Sequence, residues 1–215
     1  MPKKRNPSQL KPLKTLRIFC EGERTEPNYL KGYIAALDNH ARKSVIAVEK
    51  TRKNTAVQLV EEAINMKNSS DSLPEDEFWV VYDRESVAKY SDDLHAEARN
   101  IAKKVGIKIA LCNVCFEYWL LIHLVDTDAP YGSYDNLIKT SALRGQMKAQ
   151  CGCDYDKAKR SIFDLLKNRL PDARERAKRL NAKGLQTAGA GRDQPHHINP
   201  YVGIVDLLDA IDAFD

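Results

Sequence analysis

The chain of 215 residues has 43% hydrophobic residues and a formal net charge of +4, which is the composition of a folded protein with one main core. It contains no run of about 18 apolar residues, and the segment after Met1 lacks the apolar stretch of a signal peptide. Composition therefore argues against a membrane protein, and we expect a cytoplasmic protein whose five cysteines are reduced.

Charge is distributed unevenly along the chain. Residues 1–14 contain five Lys or Arg and no acid, and residues 157–192 have a net charge of +8. By contrast, residues 15–156 have a net charge of −4, and residues 193–215 contain five Asp and no Lys or Arg. An acidic centre between basic segments suits an enzyme that collects metal ions and binds a polyanion at its edges, although basic helices are also common as solvated faces.

Strands and helices alternate over the first part of the chain. Two prolines and few apolar residues predict a flexible arm over residues 1–14. The predicted strands that follow are 16–20, 45–48, 78–82 and 107–111. The helices between them are 27–37, a segment opened by a capping box from Thr55 to Gln58, and an amphipathic segment from Leu94 to Val105 that Gly106 ends. This order favours an α/β fold with a mostly parallel sheet, whose ligands bind beyond the carboxyl ends of the strands.

The rest of the chain is predicted to be mostly helical. The predicted helices are 117–124, 155–170, 172–181 and 201–214. Residues 127–152 and 183–200 are rich in Gly, Asp and Pro and are predicted to be active-site or substrate loops, with disorder an equal alternative for the second.

Three regions follow from this organisation. We interpret residues 1–14 as a flexible basic arm, residues 15–125 as an α/β core and residues 126–215 as a helical region that grips substrate.

Acidic residues follow two of the predicted strands. Glu21 comes directly after the first strand, and Asp83 and Glu85 come directly after the third. If these strands are neighbours, their carboxylates converge at one edge of the sheet, where oxygen ligands can hold Mg²⁺. Each acid considered alone is also common as a helix cap or a turn residue.

Three motifs carry a resemblance to a known family. They are FCEGERTEPNY at residues 19–29, VYDRE at residues 81–85 and NVCFEYWLLIHL at residues 113–124. With weaker agreement at residues 155–157 and 199–200, the chain resembles the RloB-like family of bacterial restriction and phage-defence loci over roughly residues 16–210.

The resemblance implies a divergent Toprim fold, which topoisomerases, primases and defence nucleases share. In that pattern Glu21 is the general acid or base, or a metal ligand, and Asp83 and Glu85 hold Mg²⁺, with Mn²⁺ as the alternative. The departure from the pattern is Glu85, where the broader Toprim group has Asp.

Three further residues are candidates for the site. The helical face that Glu117 shares with leucines turns its carboxylate inward, as an additional metal ligand or catalytic acid, or as half of a buried ion pair with Arg17 or another base. Lys157 is either a contact to the scissile phosphate or an ordinary surface lysine, and His123 is interpreted first as a packed, hydrogen-bonded histidine.

Other residues suggest phosphate or zinc binding. The predicted contacts to backbone phosphates are Arg160, Arg174, Arg176, Lys178 and Arg179. A weaker zinc interpretation, with unfavourable spacing, uses Cys112, Cys115, Cys151, Cys153, His196 and His197.

The sequence thus favours a metal-dependent nuclease that hydrolyses nucleic-acid phosphodiesters in bacterial phage defence, with RNA or tRNA favoured over DNA and abortive infection as the outcome. The alternative is a non-catalytic nucleic-acid or nucleotide-binding sensor subunit of a defence system, and a third is a protein scaffold in a restriction complex. Nucleic acid is the expected partner and a membrane is not; a defence-system partner protein and self-association are left open.

Overall fold

A computed structural model of the protein describes residues 13–38, 43–53 and 55–214. The basic arm predicted over residues 1–14 lies outside the described residues as far as residue 12. The elements in chain order are β1 (Leu16–Cys20), α1 (Thr25–Ala35), β2 (Ile46–Val48), α2 (Ala56–Lys67), β3 (Glu77–Asp83), α3 (Asp92–Val105), β4 (Lys108–Asn113), α4 (Glu117–Leu124), α5 (Tyr134–Thr140), α6 (Leu143–Cys151), α7 (Ile162–Leu166), α8 (Leu170–Thr187), β5 (Tyr201–Val202) and α9 (Ile204–Ala213).

The sheet has the strand order β2-β1-β3-β4-β5, with β5 antiparallel to β4 and all other pairs parallel. This confirms the predicted α/β fold with a mostly parallel sheet. The strands β1 and β3 are neighbours in a register that pairs Cys20 with Val81. One residue further on, the Glu21 amide donates a hydrogen bond to the Val81 carbonyl at 2.9 Å. The residues that follow β1 and β3 therefore emerge side by side at one edge of the sheet.

Helices cover both faces of the sheet. Five consecutive residues of β3, from Phe78 to Tyr82, are buried, which is typical of a parallel strand enclosed on both sides. Alternate residues enter two separate apolar clusters. One cluster includes Trp79 and Val81 with residues of α1, α4, α8 and α9, and the other includes Phe78 and Val80 with residues of α2 and α3.

Two predicted helix ends of the first part of the chain are observed, whereas the first helix, predicted over 27–37, is Thr25–Ala35. Thr55 Oγ1 accepts a hydrogen bond from the Gln58 amide at 3.4 Å, which confirms the predicted cap of α2. Gly106 ends α3 in the left-handed conformation, with φ of 73°. This conformation favours glycine because it has no Cβ.

Three predictions for the second half were wrong, and two of them concern residues 127–170. Residues 155–170 do not form one helix: only the short α7 is helical, a 3-10 turn follows it, and Pro171 in the first turn of α8 starts a new helix. Residues 127–152 contain α5 and α6, which were predicted to be loop. Ser133 caps α5, and the apolar side chains Leu137 and Met147 are buried, so each short helix packs on the core.

The end of the chain completes the sheet. The predicted helix 201–214 begins instead with β5, and α9 starts only after Gly203. Gly203 donates its amide to the Leu111 carbonyl at 2.8 Å, and a Cβ on Gly203 would lie 2.6 Å from that oxygen. Glycine is therefore required where the chain passes β4 this closely.

Candidate functional site

A cavity of about 370 Å³ lies where β1 and β3 end. We call it the acidic cavity; its lining residues are Glu21, Gly22, Glu23, Arg24, Thr25, Glu26, Asp83, Glu85, Glu117 and Lys157. All five residues predicted as catalytic are among them, although they come from separate parts of the chain. The structure therefore brings the predicted residues together, while the role of each remains a prediction.

Glu21 is fixed by the neighbouring strand. Its Oε2 accepts a hydrogen bond from the Asp83 amide at 3.1 Å. Burial raises the pKa of Glu21 to about 7; the bond from Asp83 opposes this shift, and the nearby carboxylates of Glu85 and Glu26 add to it. A carboxyl group with this pKa can exchange a proton near neutral pH.

Asp83 is the last residue of β3 and is fixed by the start of α4. Its Oδ1 accepts a hydrogen bond from the Phe116 amide at 2.8 Å. Burial, and then the carboxylates of Glu26 and Glu117, raise the pKa of Asp83 well above its usual range. Asp83 therefore holds its proton more tightly in the cavity than an exposed aspartate does.

Glu85 occupies an unusual backbone conformation at the rim. Its φ of 57° places a residue other than glycine in the left-handed region. Its amide donates to the Val114 carbonyl at 2.9 Å, and its Oε1 lies 2.8 Å from Lys89 Nζ. Glu85 thus lines the cavity but is paired with a lysine of its own loop.

Glu26 was missed as a site residue. It is only 7% exposed, and burial raises its pKa to about 7, with the Glu117 carboxylate contributing. A Cβ at Gly22 would overlap the Glu26 carboxylate, so the glycine makes room for this acid. In the sequence, Glu26 has the features of an ordinary acid in the first turn of a helix. The only signal was its place in the motif of residues 19–29.

Glu117 and Lys157 close the other side of the cavity. Glu117 is 2% exposed, and its Oε1 accepts a hydrogen bond from the Tyr155 hydroxyl at 2.6 Å. Lys157 Nζ lies 3.9 Å from the same oxygen and 3.5 Å from the centre of the Tyr134 ring. Burial lowers the pKa of Lys157, but the combined effect of Glu117, Tyr134, Asp83 and Glu26 is larger, and the pKa is raised. Arg17, the other partner suggested for Glu117, pairs with Glu49 instead, at 2.8 Å.

The donor atoms of the cavity suit a hard divalent cation. Carboxylate oxygens are the protein ligands of Mg²⁺, which keeps several waters and is bound through one or two carboxylates. Glu21 and Asp83, joined through the Asp83 amide, supply such a pair. In the described residues, Glu21, Asp83 and Glu85 do not form a set whose ligand atoms all lie within 4.8 Å of one another. The described structure therefore contains no preformed site in which all three of these carboxylates meet.

His123 lies outside the cavity. Its Nδ1 is 2.8 Å from the Trp119 carbonyl oxygen, and its Nε2 is 3.1 Å from the Tyr29 hydroxyl. Burial lowers its pKa to about 4. The interpretation as a packed, hydrogen-bonded histidine is confirmed.

A second cluster joins Asp92, His196 and His197, whose potential ligand atoms lie within 4.8 Å of one another. The Asp92 carboxylate is already neutralised, because Arg84 Nη2 lies 2.8 Å from one oxygen and Arg192 Nη1 lies 3.3 Å from the other. We therefore interpret the cluster as an anchor for the loop 188–200. Among the described residues, no cysteine joins a group of three potential metal ligands, so the zinc interpretation gains no support.

Most of the residues predicted to contact phosphates form ion pairs or hydrogen bonds within the chain. Arg174 lies 3.0 Å from Asp209 and 2.7 Å from Asp212. The other engaged residues are Arg176 with the Ile122 carbonyl, Lys178 with Asp209, and Arg179 with Asp126. Arg160 is exposed and has no side-chain partner among the described residues.

The fold and the cavity define an α/β protein with a cluster of carboxylates at the carboxyl ends of two neighbouring parallel strands. The family model described as RloB-like protein matches residues 16–211, and the chain therefore belongs to the RloB-like family. No curated protein and no solved structure gives a significant match. In the described part of the chain, none of the helices has the length and apolar character needed to span a membrane.

Proposed function

We propose that the chain is a metal-dependent nuclease that hydrolyses nucleic-acid phosphodiesters, with RNA, including tRNA, favoured over DNA. The observation that carries the proposal is the convergence of Glu21, Asp83 and Glu117 with Lys157 on one cavity at the strand ends. This is the arrangement expected of a Toprim-like site. The preference for RNA and a role in phage defence rest on the family resemblance alone.

The carboxyl groups of the cavity can act as an acid and a base at neutral pH. Glu21 accepts the Asp83 amide at Oε2, so its Oε1 is left for a proton from the attacking water. Glu26 has a similar pKa of about 7, so its protonated form is available for the departing oxygen. The two groups need no large change in pH to exchange roles.

Asp83 and Glu21 would hold the divalent cation, with Glu85 at the rim as a further ligand. When bound, a Mg²⁺ or Mn²⁺ ion supplies charge neutralisation for the phosphate and a lower pKa for a bound water. Lys157 Nζ, fixed beside Glu117 and the Tyr134 ring, places a positive charge where a phosphate oxygen can approach.

A non-catalytic sensor is the second candidate. It is favoured by one observation: the three predicted ligands do not close around a common point in the described structure. A sensor would bind nucleic acid with strong salt dependence and would lack metal-dependent turnover.

Cleavage assays distinguish the two functions. Labelled tRNA, single-stranded RNA and duplex DNA are incubated with the protein in Mg²⁺, Mn²⁺ or EDTA, beside Asp83→Asn and Asp164→Asn. The amide of Asp83→Asn keeps the acceptor for Phe116, and Asp164 is a matched control because its side chain is 62% exposed and lies outside the cavity. We expect Asp83→Asn to lower the rate by about a hundredfold or more, with Asp164→Asn unchanged. Salt-sensitive binding without cleavage by any of the three proteins would favour the sensor.

A further inference from the structure

A second cavity of about 560 Å³ adjoins the acidic cavity, and the two share Gly22 and Glu23 as lining residues. We call it the basic cavity; it is lined by Cys20, Gly22, Glu23, Pro27, Lys31, Glu49, Lys50, Thr51, Arg52, Lys53 and Glu62. It lies beyond β2, the strand next to β1. Both cavities therefore open at the same edge of the sheet.

The bases of this cavity are available to an outside partner. Lys31, Lys50, Arg52 and Lys53 are exposed, and none of their side chains has an ion-pair or hydrogen-bond partner among the described residues. This contrasts with the basic residues of α8, most of which are engaged within the chain.

The acids of the cavity are mostly engaged. Glu49 lies 2.8 Å from Arg17, and Glu62 accepts a hydrogen bond from the Thr51 hydroxyl. Only Glu23, on the shared wall, has no side-chain partner in the described part of the chain. With Glu49 paired with Arg17, the four bases of the lining face only the charges of Glu23 and Glu62, and the net charge of the lining is positive.

We propose that the basic cavity binds the backbone phosphates of a nucleic-acid strand next to the phosphate held in the acidic cavity. The inference rests on the proposed function, because it identifies where the substrate of that site is held. Lys50, Arg52 and Lys53 lie within four consecutive residues and would track successive phosphates of one strand.

The lining also predicts how the strand is recognised. No Tyr, Phe or Trp is among the described residues that line the basic cavity, so it offers no aromatic ring on which a base can stack. Phosphate contacts position a strand without reading its sequence. Binding at this cavity is therefore tolerant of sequence and strongly dependent on salt.

Binding is tested separately from cleavage, by fluorescence anisotropy of labelled single-stranded RNA on the Asp83→Asn protein across a series of salt concentrations. In this background the triple change Lys50→Ala, Arg52→Ala, Lys53→Ala should weaken binding about tenfold or more. It should also reduce the slope of log affinity against log salt by about 2, or about 0.7 for each lost phosphate contact.

The matched control is Lys103→Ala, Lys104→Ala, Arg144→Ala. It removes the same residue types and charge from positions outside both cavities and should leave affinity and slope nearly unchanged. Lys31→Ala, a single exposed change, provides a second test and should lower the slope by about 0.7.

Each outcome is decisive for the inference. Equal losses in the two triple variants, or an Asp83→Asn protein that does not bind RNA, would overturn it. If binding behaves as expected but the wild-type protein cleaves no substrate, the phosphate-binding cavity stands and the proposed nuclease function fails.

Discussion

Glu26 illustrates, at the scale of a residue, how the acidic cavity tolerates its charge. A buried carboxylate without a counter-ion is costly, and proteins commonly relieve the cost by keeping the proton. Glu26 is 7% exposed and close enough to Glu117 for its carboxylate to raise the pKa. The cavity is thus a place where the folded chain itself opposes ionisation.

This property predicts a pH-dependent gain from Glu26→Gln in metal-free protein. The pKa of Glu26 rises from 4.5 to about 7 on folding, so the folded state holds the proton more tightly. The stability that the folded state gains by binding this proton more tightly is fully present below about pH 4.5 and is lost as the pH rises through 7. Glu26→Gln should therefore raise the free energy of unfolding by on the order of 2 kcal/mol at pH 8 and change it little at pH 4.

Urea unfolding in EDTA at the two pH values measures this effect. Glu61→Gln, which changes an exposed glutamate of α2, is the control and should give the same small difference at both. If Glu26→Gln shows no greater gain at pH 8 than at pH 4, the raised pKa is refuted.

At the scale of the elements, the sequence predicted the site residues whose positions follow from local pattern. Apolar runs with an acid immediately after them located Glu21 and Asp83 at strand ends, and the alternating order made neighbouring strands plausible. The helix predicted over residues 155–170 was wrong, and Tyr155 at its predicted start forms a contact that no local pattern contains. Its hydroxyl bonds Glu117, 38 residues away along the chain.

Arg84 connects β3, α3 and the loop 188–200. Its side chain is 3% exposed, and it donates to the His196 carbonyl at 3.0 Å, the Tyr90 carbonyl at 2.9 Å and Asp92 Oδ1 at 2.8 Å. Arg84→Met removes all three bonds, two of which reach backbone carbonyls. We expect Arg84→Met to lower the free energy of unfolding by roughly 3 kcal/mol and to speed hydrogen exchange in the loop.

Arg192→Met is the comparison for this change. The Arg192 side chain is 62% exposed, and among the described residues it pairs only with the second oxygen of Asp92, at 3.3 Å, so its loss should cost less than about 0.5 kcal/mol. Urea unfolding and mass-spectrometric hydrogen exchange measure both variants. Equal effects of the two changes would show that the loop is not anchored through Arg84.

At the scale of the whole molecule, the uneven charge of the sequence has a different meaning in the fold. The segment 157–192 is basic and the segment 193–215 is acidic. In the fold their charges neutralise one another in part, because basic residues of α8 form ion pairs with aspartates of α9. Arg174 bonds Asp209, Asp212 and the Tyr33 hydroxyl of α1. A charge count along the chain cannot distinguish this internal pairing from a surface that awaits a polyanion.

The two basic surfaces should therefore respond to mutation in opposite ways. Arg174→Ala removes bonds to two aspartates and a tyrosine from a side chain that is 20% exposed, so we expect a loss of about 1–2 kcal/mol in the free energy of unfolding. It should leave the affinity for RNA nearly unchanged. The triple change at Lys50, Arg52 and Lys53 should have the reverse pattern, because those side chains have no internal partners among the described residues. Urea unfolding and RNA anisotropy on both proteins test this prediction. If Arg174→Ala binds RNA more weakly but is as stable as the wild type, the nucleic-acid interface lies on α8 instead.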